Sequence, residues 1–214
     1  MDVLQLHGVS KSYRSSTARQ VEVVCDVSLA VRGGEVVGLT GPSGSGKSSV
    51  IRIAGLLAAA DRGDVVIEGK RVDRTVRRDQ LRRDSLGIIF QGSNLLPDLT
   101  VLQNVVIASK TGDLERAEEL ISQFGLSEVM DSLGKEVSGG QAQRAALCRA
   151  MMNDPPIVLA DEPTAGLDAV NAKRVTDLLR DARNSGRGVL LATHDPATLA
   201  IADRVIRVED GRLV

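Results

Sequence analysis

A glycine-rich octapeptide, Gly41-Pro42-Ser43-Gly44-Ser45-Gly46-Lys47-Ser48, has the composition for phosphate chemistry. It fits the pattern G-x-x-x-x-G-K-[ST] in full. Glycines let several backbone N–H groups converge on one anion, and a helix N-terminus adds partial positive charge. In such a loop Lys47 reaches the β- and γ-phosphates of a nucleotide and the Ser48 hydroxyl ligates Mg²⁺. Chance would produce the four fixed positions in on the order of one in a hundred chains of this length, so a plain glycine-rich turn is the minor alternative.

Two adjacent carboxylates, Asp161 and Glu162, follow the apolar run Ile157 to Ala160. The carboxyl end of a buried strand is where ligands bind in open α/β sheets. Asp161 suits a Mg²⁺ site, and Glu162 would polarise a water that attacks a γ-phosphate. Alone, two acids after a strand more often begin a loop or cap a helix. The phosphate loop favours the functional interpretation.

A second anion-binding feature is Ser138-Gly139-Gly140-Gln141, which precedes a stretch rich in Ala and Arg. If that stretch is a helix, the backbone amides of the four residues form its N-terminus and can face an anion. A glycine-containing N-cap would explain the same residues structurally. On their own, these residues leave the two interpretations evenly balanced.

The elements around these motifs alternate between strand and helix. Val36 to Thr40 predicts a strand into the glycine-rich loop, and Ser48 to Ala60 a helix after it. Further strands are predicted at Val65 to Gly69, Gly87 to Phe90, Ile157 to Ala160 and Val189 to Ala192, the last two as buried parallel strands. The pattern predicts an α/β fold.

The remaining segments are predicted from composition and periodicity. Before the core come the β-rich stretches Val3 to Leu6 and Val21 to Leu29, with Ser15 to Thr17 as a hairpin loop. After the core, Val205 to Val208, Asp210-Gly211 and Arg212 to Val214 are predicted to form a closing hairpin. Asp73 to Asp84 is expected to be a solvated surface segment. Leu99 to Met152 is expected to be helical, with one apolar packing face formed by Ala117, Leu120, Ile121 and Phe124.

Composition excludes several classes of protein. The 214 residues carry 27 basic and 28 acidic side chains, a net charge of −1, which offers no basic field for nucleic acid. Cys25 and Cys148 support neither a disulfide framework nor a zinc site and favour a reducing interior. No secretion signal is recognisable after Met1, and the longest apolar runs, such as Ile53 to Ala60, are far below the roughly 20 residues of a membrane span. We expect no direct membrane span.

Taken together, the motifs resemble those of the ATP-binding cassette (ABC) ATPases over nearly the whole chain. The matching segments are Gly41 to Ser49 (Walker A), Gln91 (Q-loop), Ser138 to Gln141 (signature), Ile157 to Glu162 (Walker B with the catalytic glutamate), Ala165 to Asp168 (D-loop), His194 (switch histidine) and Tyr13 (adenine stacking). The resemblance implies a P-loop NTPase (RecA-like) core with an N-terminal antiparallel β-subdomain and an inserted α-helical subdomain. One nucleotide-binding domain would then fill 1–214, with the core at about 1–90 and 154–214 and the helical part at about 91–153.

The resemblance also implies roles for individual residues, with ATP and Mg²⁺ as cofactors. Catalysis would involve Glu162, His194 and Gln91, and Mg²⁺ would be held by Ser48, Gln91 and Asp161. The nucleotide would be bound by Tyr13, Gly41, Ser43, Gly44, Ser45, Gly46, Lys47, Ser48, Ser49, Ser138, Gly139, Gly140, Gln141 and Asp168. In this family two domains pack head to tail, so the signature residues of one copy bind the γ-phosphate held by the other. ATP binding would therefore close a homodimer.

Finer details resemble the lipoprotein-release and macrolide-export type, which also includes the cell-division ABC ATPase. They are Gly41 to Lys47, Ile53 to Leu56, Asn94 to Pro97 and His194 to Pro196. That resemblance implies an integral membrane permease as partner and a cytoplasmic location on the inner face of the membrane. Val137 and Ser49 depart conservatively from the family pattern. The segment from Asn104 to Lys135 is several residues shorter than its counterparts, which trims the lobe that touches the permease.

Two other kinds of function occur within the same family. ABC ATPases of DNA repair, chromosome organisation or translation carry coiled coils, zinc modules or a second cassette, for which this chain has no room. A regulatory or mechanotransmission ATPase of the cell-division type, in which ATP binding gates a membrane partner without transport, remains the alternative. The presence of Glu162 and His194 argues for competence to hydrolyse ATP.

Overall fold

The computed structural model describes residues 1–14, 20–73 and 75–214. This part of the chain contains ten strands and seven α-helices. The strands are β1 (Asp2–Arg14), β2 (Gln20–Arg32), β3 (Val36–Thr40), β4 (Arg62–Ile67), β5 (Lys70–Arg71), β6 (Leu86–Ile89), β7 (Ile157–Asp161), β8 (Gly188–Ala192), β9 (Arg204–Glu209) and β10 (Arg212–Leu213). The helices are α1 (Lys47–Ala54), α2 (Arg78–Ser85), α3 (Val101–Val106), α4 (Leu114–Gln123), α5 (Gly139–Met151), α6 (Ala169–Asn184) and α7 (Pro196–Leu199), with a 3₁₀ turn at Ser127–Val129.

The larger sheet has the order β10-β9-β3-β8-β7-β6. All its strands except the edge strand β10 run parallel, and every residue of β7 and β8 is buried. This confirms the prediction of buried parallel strands at these two places. Because the strands are parallel, their carboxyl ends lie at one edge of the sheet, where the loops that follow them meet.

Side chains of the parallel sheet alternate between two hydrophobic cores. In β7, Ile157 and Leu159 join the core that also holds α1 and the antiparallel sheet of order β2-β1-β4-β5. Val158 and Ala160 face the opposite core, which is closed by helices α3 to α6. The sheet is therefore covered on both faces, as expected for an α/β fold.

Helices α3, α4 and α5 and the 3₁₀ turn lie within the predicted helical segment Leu99 to Met152, with loops between them. The apolar stripe of α4 and the residue that follows it (Ala117, Leu120, Ile121 and Phe124) is buried in the second core, which confirms that it serves packing. Arg144 of α5 ties the end of α4 down, because its guanidinium donates to the carbonyls of Phe124 (2.9 Å) and Gly125 (3.1 Å). The buried cation thus satisfies carbonyls that the helix end leaves free.

Several predicted boundaries are wrong by part of an element. Helix α1 was expected to reach Ala60 but ends at Ala54, because Gly55 caps it and Leu56 adopts a positive φ of 57°. Strands β1 and β2 are longer than predicted, at 13 residues each. The predicted loop at Ser15 to Thr17 lies outside the described residues.

Two further predictions are confirmed, for the charged segment and for the closing hairpin. The charged segment is exposed along α2, where only Ser85 is buried, and β9 and β10 form the closing hairpin. Cys25 and Cys148 are buried and form no disulfide. Among the described residues, no helix is both long and apolar enough to cross a membrane.

Candidate functional site

Four neighbouring strands bring the predicted catalytic and phosphate-binding residues to one edge of the parallel sheet. Strand β3 leads into the loop 41–48, and β8, beside it, is followed by His194. The next strand, β7, ends in Asp161 with Glu162 directly after it, and β6 is followed by Gln91. The chemistry-bearing residues thus stand side by side in the order of the strands.

The glycine-rich loop folds around its lysine. Lys47 is the first residue of α1 and is only 8% exposed, and its Nζ donates to the carbonyls of Gly41 (2.8 Å) and Pro42 (2.9 Å). Gly46, the N-cap, offers no side-chain hydrogen bond to the helix, so no side chain competes for the first-turn amides. The helix N-terminus and its lysine remain available to an anion.

A single hydrogen bond joins this loop to strand β7. The Ser48 hydroxyl donates to Oδ1 of Asp161 over 2.9 Å. Burial raises the pKa of Asp161 above its usual value, and the neighbouring charge of Glu162 adds to the rise, while the Ser48 hydrogen bond opposes it. A hydroxyl and a buried carboxylate are hard oxygen ligands of the kind Mg²⁺ selects, so this pair fits the metal. In the described ranges, no group of three or more His, Cys, Asp or Glu side chains forms a separate metal cluster.

The Glu162 carboxylate is held at both oxygens. The Thr193 hydroxyl donates to Oε2 over 2.9 Å, and Nδ1 of His194 lies 2.8 Å from Oε1. Because an ionised carboxylate only accepts hydrogen bonds, the ring carries its proton on Nδ1 in this arrangement. Thr193 is fully buried and sequence reasoning gave it no role, although it directly precedes the predicted histidine. Two residues after β8 therefore fix the direction of Glu162.

Gln91 and Tyr13 are both exposed. Gln91 follows Phe90, whose carbonyl accepts a hydrogen bond from Nε2 of Gln143 over 3.2 Å. Tyr13 is 38% exposed near the end of β1, and Nζ of Lys11 lies 5.6 Å from the centre of its ring. Tyr13, the only tyrosine of the chain, is not part of either hydrophobic core.

The Ser138-Gly139-Gly140-Gln141 motif begins helix α5. Ser138 and Gln141 form a capping box, in which each side chain accepts a hydrogen bond from the backbone N–H of the other (3.3 and 2.8 Å). Gly139 is exposed, with no atom within 4 Å of the position a Cβ would take. In the described part of the chain, no hydrogen bond connects this motif with the loop 41–48. The two predicted anion-binding sites of one molecule thus lie on different elements, one between β3 and α1 and the other at the start of α5.

Asn171 joins the start of α6 to the start of α5. Asp168 caps α6 by accepting from the Asn171 backbone N–H (2.8 Å) and from its side-chain amide (2.7 Å). These hydrogen bonds hold the pKa of Asp168 below its usual value. A Cβ on Gly140 would lie 2.4 Å from Cγ of Asn171, so the two helix starts are in close contact. Sequence reasoning missed Asn171, for which the only signal is its spacing of three from an N-cap aspartate.

Glu162 and His194 also border an open groove. It has a volume of about 640 Å³ and runs between α6 and α7, with Leu167 and Thr164 among its lining residues. The edge of the sheet therefore continues into a surface that a second molecule can reach.

Comparison with known proteins agrees with this geometry. The ABC transporter family matches residues 24–165, about two thirds of the chain. The lipoprotein-releasing system ATP-binding protein LolD of Roseobacter denitrificans is 40% identical, over 99% of this chain and 97% of its own length. The macrolide export ATP-binding/permease protein MacB of Salmonella choleraesuis is 41% identical, but the chain covers only 34% of it. The chain thus spans nearly all of the first relative and about a third of the second.

Solved structures extend the likeness to three dimensions. A dimeric post-hydrolysis state of the ATP-binding cassette MJ0796, bound to ADP and Pi, superposes with a TM-score of 0.90 at 33% identity. It covers 98% of this chain and 96% of its own. A second dimeric structure of MJ0796, described as a bacterial ABC transporter cassette, gives a TM-score of 0.89. The P-loop core and antiparallel β-subdomain expected from the sequence are confirmed, and the chain belongs to the ABC transporter family as one of its ATP-binding ATPases.

Proposed function

We propose that this chain is the ATP-hydrolysing subunit that powers a membrane permease of the lipoprotein-release or macrolide-export type. The observation that carries the catalytic part is the Glu162 carboxylate, held by Thr193 and His194 next to the Ser48–Asp161 pair. The relatives LolD and MacB support the transporter type and favour it over division-like regulation.

Nucleotide binding is assigned to the loop after β3. The backbone amides of Gly41, Ser43, Gly44, Ser45 and Gly46 surround the phosphates, and Ser48 and Ser49 follow in the first turn of α1. Lys47 exchanges its two loop carbonyls for phosphate oxygens, which are stronger partners because they are charged. Tyr13 is exposed enough to stack on adenine.

The metal belongs between the loop and β7. Oγ of Ser48 and Oδ1 of Asp161, which are 2.9 Å apart, would hold Mg²⁺ together with Gln91, which follows β6. When bound, Mg²⁺ neutralises charge on the phosphates and counters the cost of burying Asp161.

Hydrolysis is assigned to Glu162. Its carboxylate accepts the proton of the water whose oxygen attacks the γ-phosphorus, while the bond to the β–γ bridging oxygen breaks and ADP leaves. Thr193 keeps the carboxylate aimed, and His194 links it to the γ-phosphate. With Gln91, His194 reports the presence of that phosphate to the rest of the molecule.

The second copy supplies what one molecule lacks. Ser138 and Gly139 are exposed at the start of α5 and can face a γ-phosphate bound by another chain. Gly140 and Gln141 shape that helix end, and Asp168 lies next to it through Asn171. We infer that ATP closes a head-to-tail homodimer, with about 1–90 and 154–214 as core and about 91–153 as helical lobe.

The permease is assigned to a groove between core and helical lobe. This groove, of about 490 Å³, is lined by apolar side chains that include Leu57, Phe90 and Ile107 and by charged ones that include Arg82, Arg83 and Arg149. Ile107 is 61% exposed and Leu57 45%, and because both border the same groove, a partner segment can cover them together. A permease segment in this groove would hold the subunit at the cytoplasmic face of the membrane, and the net charge of −1 gives no support for nucleic acid as a partner.

The test uses Glu162→Gln, which keeps the size of the side chain and one of its two acceptor oxygens but removes the carboxylate that takes the proton. We expect this variant to bind ATP, to lose about 10²- to 10⁴-fold in hydrolysis rate and to accumulate as a dimer with ATP and Mg²⁺. Light scattering measures the dimer, and isothermal titration measures ATP binding.

Lys47→Ala is the control, because it should neither bind ATP nor dimerise while keeping its unfolding temperature. A Glu162→Gln protein that binds ATP but stays monomeric at saturating ATP and Mg²⁺ would contradict the sandwich mechanism.

A further inference from the structure

We propose that the turn of the C-terminal hairpin, Asp210-Gly211 between β9 and β10, positions the phosphate-binding loop through the backbone amide of Gly211. The sequence predicts this hairpin, but no motif connects it with the phosphate-binding loop. The inference rests on the proposed function, since it takes the loop 41–48 as the phosphate site. Gly211 acts here as a positioning residue and does not touch the nucleotide.

The decisive contact is between two backbone groups. The N–H of Gly211 donates to the carbonyl of Ser45 over 2.9 Å. All peptide bonds in the described residues are trans, so the C=O of Ser45 and the N–H of Gly46 point in opposite directions across one planar unit. With the carbonyl fixed on the hairpin, the Gly46 N–H must face the other way, into the loop. The hairpin thereby sets the direction of an amide placed to bind phosphate.

Close packing keeps the three backbones together. Gly46 and Gly211 have φ values of 107° and 78°, and a Cβ on either would lie within 2.4 and 2.7 Å, respectively, of the Val23 carbonyl oxygen. Both positions therefore require glycine, for their backbone conformation and for the space available. Gly46 and Gly211 both pack against the Val23 carbonyl of β2, which therefore sets the spacing between the hairpin and the loop.

The hairpin is anchored on its far side and reaches a second point of the loop. The carbonyl of Gly211 accepts a hydrogen bond from the Cys25 N–H over 2.8 Å, which fixes the turn to β2. At the start of the loop, a Cβ on Gly41 would lie 2.1 Å from the carbonyl oxygen of Val208 in β9. Strand β9 and its turn thus touch the loop at Gly41 and at Ser45.

The chain contains a matched control for a substitution at Gly211. The turn between β4 and β5, Glu68-Gly69, has φ values of 48° and 74°, against 46° and 78° for Asp210-Gly211. Nothing lies within 4 Å of a Cβ on Gly69. Alanine at either position has the same cost of a positive φ. Only at Gly211 would the methyl group also clash with a backbone atom next to the loop, the carbonyl oxygen of Val23.

The experiment measures ADP and ATP affinity, with Mg²⁺, for wild type, Gly211→Ala and Gly69→Ala. We expect Gly211→Ala to raise both dissociation constants by about tenfold or more, since one amide contact to phosphate is misdirected. Gly69→Ala should stay within about twofold of wild type, with a smaller fall in unfolding temperature than Gly211→Ala because its methyl group meets no neighbouring atom. In two-dimensional NMR spectra, the shift of the Gly46 amide signal on ADP binding should be lost in Gly211→Ala and kept in Gly69→Ala.

A second variant guards against a folding failure. Gly211→Asn places a Cβ against Val23, but asparagine tolerates positive φ better than alanine, so it should fold and still weaken ADP binding. If Gly211→Ala and Gly211→Asn bind ADP as wild type does, the positioning role is wrong while the proposed function stands. If wild type itself binds no ATP with Mg²⁺, the proposed function fails, and this inference with it.

Discussion

The Asp161 carboxylate is only 8% exposed and lies next to the acidic Glu162. Burial raises its pKa above the ordinary value, so folding favours the protonated form over the charged form. The charged form therefore costs stability at any pH above the pKa of the folded state. That cost falls as the pH drops through this pKa and is absent below the pKa of the unfolded chain. The carboxylate that we propose as a Mg²⁺ ligand thus opposes folding in its charged form.

Asp161→Asn should make the nucleotide-free protein more stable while abolishing Mg²⁺-dependent hydrolysis. Asparagine keeps an oxygen that accepts from Ser48 and removes the buried charge. We expect the melting temperature at pH 7 to rise by roughly 2–4 °C, for a gain on the order of 1 kcal/mol. In a thermal melt series the gain should shrink toward acid pH. An unchanged or lower melting temperature at pH 7 would show that burial does not oppose ionisation of this carboxyl.

The candidate catalytic residues were easier to predict from the sequence than the residues that position them through hydrogen bonds and packing. Glu162 and His194 were found because a carboxylate and an imidazole stand at recognisable places in motifs. Thr193 and Asn171 have no such mark, because their importance lies in contacts with Glu162 and Gly140 that only the folded chain creates. A hydroxyl or an amide at a helix or strand end is too common for its partner to be inferred from spacing.

At the scale of elements, two helices begin with the same device. Helix α5 starts with the Ser138/Gln141 capping box, and α3 with a capping box formed by Thr100 and Gln103. In both, the hydroxyl accepts the N3 amide, over 3.3 and 3.1 Å. The two starts are equivalent for helix stability, yet only that of α5 is assigned to the γ-phosphate of a second chain.

Ser138→Ala and Thr100→Ala should therefore cost similar stability but differ in function. Loss of an N-cap hydroxyl costs about 1 kcal/mol, which corresponds to a fall of roughly 2–4 °C in melting temperature. In the Glu162→Gln background, only Ser138→Ala should lose the ATP-dependent dimer in light scattering. Equal dimer formation by the two double variants would remove Ser138 from the interface between copies.

Element types were predictable where local patterns and packing agree. The strands β3, β7 and β8 are continuous apolar runs, which only a sheet covered on both faces accommodates. The end of α1 was not predictable from apolar residues, because Leu56 to Ala60 continue the apolar run. There the chain leaves the helix at Gly55 and Leu56, where the backbone carbonyl of Arg52 accepts from the N–H groups of Leu57 and Ala58.

At the scale of the whole molecule, β6 connects the edge of the parallel sheet with the groove of about 490 Å³ that we assign to the permease. Strand β6 supplies Ile88 to the groove floor, continues through Phe90 and leads into Gln91. Arg149 of α5 donates to the carbonyls of Ser93 and Asn94 (2.8 Å each), so the segment after Gln91 is tied to the helix that begins with Ser138. A partner in the proposed permease groove would therefore contact the same segments that carry Gln91 and Ser138. Sequence patterns give no access to this connection, because it depends on how the helical lobe lies against the sheet.

Ile107→Glu should weaken the contact with the permease, because it replaces an exposed apolar contact residue of the groove with a charged one. Val205→Glu is the matched control, since Val205 is also an exposed aliphatic residue, 52% against 61%, but lies on β9 outside the groove. Tagged chains are purified from detergent-solubilised membranes, and the permease is identified by mass spectrometry. Wild type and Val205→Glu should retain it, and Ile107→Glu should lose it while keeping its circular dichroism and melting temperature. Full retention by Ile107→Glu would place the permease on another face of the molecule.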